Sequence, residues 1–296
     1  MKYRFLFILL IVLLFQFVAI DPQLYNGICV SLILLVGVPH GAADHRINST
    51  LSGDKDTRGF ILHYVLIAIG YAVWWLMMPA QAALVFYVMS MYHFGQEFLE
   101  ELEIPKPSAI EIMIWGGGIL LLPSLIAHRD IVANFQWLTE GSEEINFPPY
   151  IRLSATAILP ILLLGSIYRL VNSGRMDRQK AYRAIFFISA LNLSYLFLPF
   201  LVAFTLYFIL FHSLNAFQHQ YDWLHKRISN YRLSSFLKDL SLFSFISISG
   251  LMLLIYLLKE KEWSELIIYF FMIISIVTLP HSILFDQFYK SRKAKD

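Results

Sequence analysis

The chain is 296 residues long, 58% of them hydrophobic and only 15% charged, with a mean hydropathy of +0.62 and a formal net charge of +2. Soluble domains carry about 25% charged residues, so this composition excludes an ordinary soluble enzyme and a disordered chain, and the near-neutral balance excludes a nucleic-acid binder. The single cysteine, Cys29, excludes a disulfide framework within one chain and any thiolate-held metal cluster.

A membrane span needs about 20 mostly apolar residues to cross roughly 30 Å of hydrocarbon. Ten segments meet that need, at about 4–20, 24–43, 60–78, 80–98, 109–127, 151–170, 183–198, 200–220, 236–258 and 264–287. The expected fold is therefore all-α: a polytopic transmembrane helical bundle of about ten spans, forming a single integral-membrane domain over 1–296. Met1-Lys2-Tyr3-Arg4 precedes the first apolar run, but Asp21-Pro22-Gln23 follows it where a leader would carry a small-residue cleavage site. The segment reads as a retained first helix. Residues 44–59 read as a polar inner loop, and 128–150 as a polar outer loop on the surface. Gly116-Gly117-Gly118 lies inside an apolar span, where small residues let helices approach closely.

Lysine and arginine collect on the cytoplasmic side of membrane proteins. With the N-terminus inside and ten alternating spans, 19 of the 23 Lys and Arg residues fall on the inner side. Losing or adding one span would scramble that sorting. Both termini are expected in the cytoplasm.

Ionisable groups in hydrocarbon are costly, so those that remain are candidates for function. Asp44, Glu97, Asp222 and Asp286 sit near inner span ends. No lysine falls mid-span, which argues against a retinal Schiff base, and the scarcity of buried carboxylates argues against an ion-coupled transporter. Of nine histidines, His128 falls outside and His225 in an inner loop. His45 and His63 fall at interfaces, where a solvated structural role is expected. His40, His93, His212 and His281 belong to four spans that all run from outside to inside. At about 1.5 Å per residue, their depths differ by less than about 8 Å. Helical bundles build metal sites from facing helices in this way, although a membrane histidine can equally bond a neighbouring helix.

Local context sharpens the choice. His40 sits in Gly37-Val38-Pro39-His40-Gly41-Ala42-Ala43-Asp44-His45, where proline breaks the helical ladder and an irregular turn is expected. His93 has Glu97 one turn on as an orienting partner, and Asp44 is a second such carboxylate. His281 follows Pro280. His219 lies two turns beyond His212 on the same face, as a ligand, a base or a head-group contact. Neutral imidazoles suit iron, copper, zinc or nickel. No histidine pair has the tight spacing of a di-iron box, which favours a mononuclear site.

Four segments, Pro39-His40-Gly41-Ala42-Ala43-Asp44-His45, Tyr92-His93-Phe94-Gly95, Phe211-His212-Ser213 and Leu279-Pro280-His281, resemble in order the signatures of the Brp/Blh β-carotene 15,15′-dioxygenases. The resemblance implies cleavage of the central double bond of all-trans-β-carotene with O2, giving two retinals, at Fe(II) held by histidines from separate helices. It also implies a retinal-binding rhodopsin as a partner in the same cell. The chain departs from the family at Ala216, where a second histidine commonly follows one turn after the His-Ser histidine. His40, His93 and His212 are the expected ligands, with His281 fourth and His219 in reserve. Two other classes remain open: a membrane oxidase using another metal or isoprenoid, and a carotenoid-binding or transport protein without chemistry.

Overall fold

The computed structural model describes residues 2–53, 57–135, 149–257 and 263–293. Among them, the regular elements are all helical. In chain order they are α1 (Lys2–Phe17), α2 (Pro22–Leu32), α3 (Asp44–Ser52), α4 (Thr57–Met77), α5 (Pro79–Glu101), α6 (Ala109–Gly116), α7 (Leu122–Ile126) and α8 (His128–Phe135). Then follow α9 (Pro149–Asn172), α10 (Arg178–Phe197), α11 (Phe200–Tyr207), α12 (Leu214–Arg227), α13 (Leu233–Leu257) and α14 (Trp263–Lys293).

Six helical stretches among the described residues are long and apolar enough to cross a membrane: Pro22–Ser52, Thr57–Met77, Ala109–Ile126, Pro149–Asn172, Phe200–Arg227 and Ile268–Tyr289. Tyr3–Phe17 is apolar but shorter. These helices turn much of their apolar surface outward. On α4, Leu62, Val65, Leu66, Ile69 and Leu76 are all exposed. A soluble protein rarely shows so continuous an apolar face, whereas lipid is as apolar as leucine.

Three of the long stretches are locally irregular. Ile33–Gly37, Gly117–Leu121 and Phe208–Ser213 are π-helical, and Val38–Gly41 is a 3-10 turn. Such turns often mark functional positions inside helices. The irregular turn expected at Pro39 is this 3-10 segment.

The inner loop expected at 44–59 is a correction. Residues Asp44–Ser52 form α3. Its hydroxyls bond back within the helix: Ser49 and Thr50 donate to the Arg46 carbonyl at 3.0 and 2.8 Å, and Ser52 donates to Asn48 at 2.9 Å. Polarity therefore did not mean a loop, because short hydroxyl side chains can return to the preceding turn. Gly53, at φ +67°, ends the helix. Of the expected outer loop, His128–Phe135 is α8 and 136–148 lies outside the described residues.

The chain divides into two compact units. The first comprises Met1–Tyr25 with Tyr87–Phe204, and the second Asn26–Phe86 with Thr205–Asp296. The core of the first gathers Leu99, Ile112, Trp115, Leu163, Leu170 and Ala184. There a Cβ on Gly95 would strike the Ile112 carbonyl, and one on Gly116 the Met91 carbonyl. Part of the glycine run thus does what its composition predicted, letting α5 and α6 touch backbone to backbone. The α6 N-terminus carries a capping box, in which Glu111 N donates to Ser108 Oγ at 3.2 Å and Ser108 N donates to Glu111 Oε2 at 2.7 Å. The core of the second unit packs Ile47, Trp223, Leu224, Phe236, Phe285 and Phe288.

Candidate metal centre

Three of the candidate histidines meet in the second unit. His40 comes from the 3-10 turn, His212 from the π-helical turn Phe208–Ser213, and His281 from α14 just after Pro280. All three are buried. The His40 ring centroid lies 4.9 Å from that of His212 and 4.7 Å from that of His281, with the rings near perpendicular in both pairs. The Nε2 atoms of His40 and His212 are 3.3 Å apart.

The partners of the outer nitrogens fix two tautomers. His40 Nδ1 meets the Gly37 carbonyl, which can only accept, so Nδ1 carries the proton. His281 Nδ1 meets both oxygens of Asp44, at 3.0 and 2.9 Å. As neutral imidazoles, both rings then hold their lone pair on Nε2, the form a divalent metal takes. Asp44 is itself buried at the start of α3. Tyr64 OH lies 3.1 Å from the Val277 carbonyl and 3.4 Å from Asp44 Oδ2.

The surroundings hold the cluster in place. Gln220 Nε2 donates to the His40 carbonyl at 2.7 Å, serving a backbone group that the irregular turn would leave without a helical partner. Phe208 stacks on His212 with centroids 5.0 Å apart, and Phe285 packs on His281 at 4.3 Å. Gly37 makes room for Phe208, since a Cβ there would fall on that ring. At Gly41, a Cβ would stand 3.3 Å from His281 Nδ1.

This donor set fits a first-row divalent ion. Imidazole nitrogens bind at about 2.0–2.1 Å, so two on one ion stand about 3 Å apart, close to the 3.3 Å between His40 and His212. The same distance also admits a hydrogen bond between the two rings. Asp44 supplies the carboxylate that commonly orients a metal-bound histidine.

The other candidates are placed differently. His93 and Glu97 lie in the first unit, both buried, one helical turn apart on α5. A His93 ring nitrogen and a Glu97 carboxylate oxygen come within 4.8 Å of each other. His219 is half-buried two turns beyond His212, about 10 Å further along α12. Ala216 is buried on the same helix. His45 is half-buried against Phe243 and its Nδ1 meets the Ala42 carbonyl at 3.1 Å, while His63 is exposed. Sequence reasoning missed Gln220, Tyr64 and Phe208. Gln220 left a trace, being an uncharged polar residue near the inner end of a span. Tyr64 and Phe208 left none in a chain with 16 Tyr and 25 Phe.

The family model described as β-carotene 15,15′-dioxygenase matches residues 31–289, which contain every one of these side chains. The chain belongs to the β-carotene 15,15′-dioxygenase family. A β-carotene 15,15′-dioxygenase from the uncultured marine bacterium 66A03 is 25% identical over 281 residues, covering 92% of this chain and 97% of the relative. No solved structure matches the chain. For a member of the β-carotene 15,15′-dioxygenase family, a carotenoid is the implied substrate, and the apolar helices suit a lipid environment in which such a substrate dissolves.

Proposed function

We propose that the protein is an iron-dependent β-carotene 15,15′-dioxygenase. The reaction breaks the C15=C15′ bond of all-trans-β-carotene and adds one atom of O2 to each carbon, giving two retinals. The observation that carries this reading is the junction of His40, His212 and His281, with Asp44 on the outer nitrogen of His281, inside the matched residues 31–289. His40, His212 and His281 would hold Fe(II), which when bound would supply activation of O2. The motif Tyr92-His93-Phe94-Gly95 supports His93 as a further ligand, with Glu97 one turn on orienting it. His219 remains in reserve.

The chain's own part is positional. Asp44 keeps the His281 proton on Nδ1, and the Gly37 carbonyl does the same for His40. Apolar helices exclude water from the polyene and fix which double bond is presented. The substrate enters sideways from lipid. The ten-span topology with both termini cytoplasmic, the bacterial inner membrane, and a rhodopsin that consumes the retinal belong to the same proposal, supported by the charge sorting and the resemblance.

Expression in a β-carotene-accumulating bacterium, with chromatography of the pigments, tests the reading. Retinal forms with the wild-type chain and disappears with His40→Ala. Unchanged β-carotene beside folded, iron-loaded protein overturns it. A His93→Ala protein with full iron content and full cleavage removes His93 from the ligand set. Buried Ala216, at the position where relatives commonly carry histidine, favours one second reading: a metal-dependent oxidase of another apolar isoprenoid. Retention of β-carotene with turnover of a different polyene would select it.

A further inference from the structure

A cavity of about 360 Å³ lies in the second unit, bounded by α4, α13 and α14. Small-molecule sites occupy ~300–1,000 Å³. Phe60, Ile61, Ala68, Ala72, Phe243 and Ile276 give it aliphatic and aromatic walls. Val65 and Ile69 also line it and are exposed, so the cavity reaches the outer face of α4.

Asp44, Tyr64 and His45 also border this space, yet each is engaged with protein. Asp44 accepts from His281, the Tyr64 hydroxyl lies 3.1 Å from the Val277 carbonyl, and His45 Nδ1 meets the Ala42 carbonyl at 3.1 Å. The surface left to a ligand is chiefly hydrocarbon. A smaller pocket of about 80 Å³ touches His40 and His281 directly. The two spaces share Val38, Gly41, Ser247 and Val277 in their walls. Gly41 leaves this junction open beside the His281 ring, because even a methyl group there would stand 3.3 Å from its Nδ1.

We propose that this cavity receives one ring-bearing hydrocarbon arm of the carotenoid, with the polyene passing Gly41 and Ser247 to reach His40 and His281. The inference rests on the dioxygenase reading and deepens it. It makes Ala68 and Ser247 specificity-determining residues, on α4 and α13 and outside the histidine set. An arm with a bulky ring needs the whole cavity, whereas a short acyclic arm needs only the part near the histidines.

Thiol protection tests occupancy. In a Cys29→Ser chain carrying Ala68→Cys or Ser247→Cys, a membrane-permeant maleimide is applied to full-length protein in lipid discs, with and without β-carotene. The expected result is at least fivefold slower labelling at both positions with β-carotene, and no slowing at Leu162→Cys on the exposed face of α9 in the first unit. Slowing at both positions supports the inference whether or not retinal forms. Retinal formation without slowing overturns it and leaves the dioxygenase reading standing. Neither slowing nor retinal, with the protein iron-loaded, overturns both. A second variant, Ala68→Phe, is expected to raise KM for β-carotene at least fivefold. It should leave kcat/KM within twofold for an apocarotenal with one ring and a short acyclic arm. Equal loss on both substrates overturns the assignment of Ala68.

Discussion

Each unit buries a carboxylate among apolar helices, and the two are used in opposite ways. In the first unit, Glu111 is 1% exposed and receives Arg169 and Arg175, each at 2.8 Å, besides closing the capping box of α6. Arg175 goes on to the Pro105 and Lys106 carbonyls, and the Arg169 side chain is 60% exposed. The network ties the start of α6 to the end of α9 and the turn after it, and finishes at the surface. In the second unit, Asp44 places both oxygens on one nitrogen of His281, and Tyr64 stands beside it. That chain finishes on a ring that packs edge-on against His40, 4.7 Å between centroids. A buried carboxylate is therefore classified by where its partner leads. One that ends on guanidinium groups and backbone serves as an anchor, and one that ends on an imidazole among imidazoles orients that ring for the proposed metal.

The contrast is sharpest if each carboxylate is neutralised in turn. Asp44→Asn keeps the shape but loses the charge that holds the His281 tautomer. Groups behind a metal ligand typically matter 10- to 100-fold in affinity or activity, so with His281 in the proposed iron site, retinal formation and iron retention should fall by about that factor. Thermal unfolding in detergent should move little. Full activity in Asp44→Asn would break the comparison from the side of the site. Glu111→Gln is the mirror experiment. Breaking a buried ion pair costs about 3–5 kcal/mol, and exposure of Arg169 reduces that here to about 2 kcal/mol. The midpoint of unfolding should drop, while retinal formed per folded molecule stays unchanged. A selective loss of activity in this variant would mean that Glu111 is no mere anchor.

How much of this was legible follows from the same contrast. The histidines announced themselves, because an imidazole in an apolar span has few reasons to be there, and the expected ten-span topology put four of them within about 8 Å in depth. Asp44 was legible through its neighbours in Pro39-His40-Gly41-Ala42-Ala43-Asp44-His45. The pairing of Asp44 with His281 was not, because it joins residues far apart in the chain by the packing of α14 on α3. Glu111 went unnoticed as a buried group. Its capping partner Ser108 is local, but its two arginines come from the end of α9 and the turn beyond. The helix α3 was misread as a loop, because hydroxyl-rich sequence carries no sign of whether its side chains bond to solvent or to their own backbone. The π-helical turns that carry His212 and precede His40 are likewise invisible in composition. They depend on how each helix is held against its neighbours.

The smallest expected effect bears on how far the positioning chain extends. Tyr64 OH lies 3.4 Å from Asp44 Oδ2 but 3.1 Å from the Val277 carbonyl, and it has one proton to give. The shorter contact should take that proton for most of the time, leaving a weak hold on the carboxylate. A neutral hydrogen bond is worth about 0.5–1.5 kcal/mol net, and a long, shared one belongs at the lower end. Tyr64→Phe should therefore lower retinal formation about twofold, with iron content unchanged. A drop as large as that of Asp44→Asn would show that the hydroxyl is given to Asp44 rather than to Val277, and that the chain from His281 has three members. No drop at all would end the chain at Asp44. Because Phe keeps the ring that walls the cavity, either result reads the hydroxyl by itself.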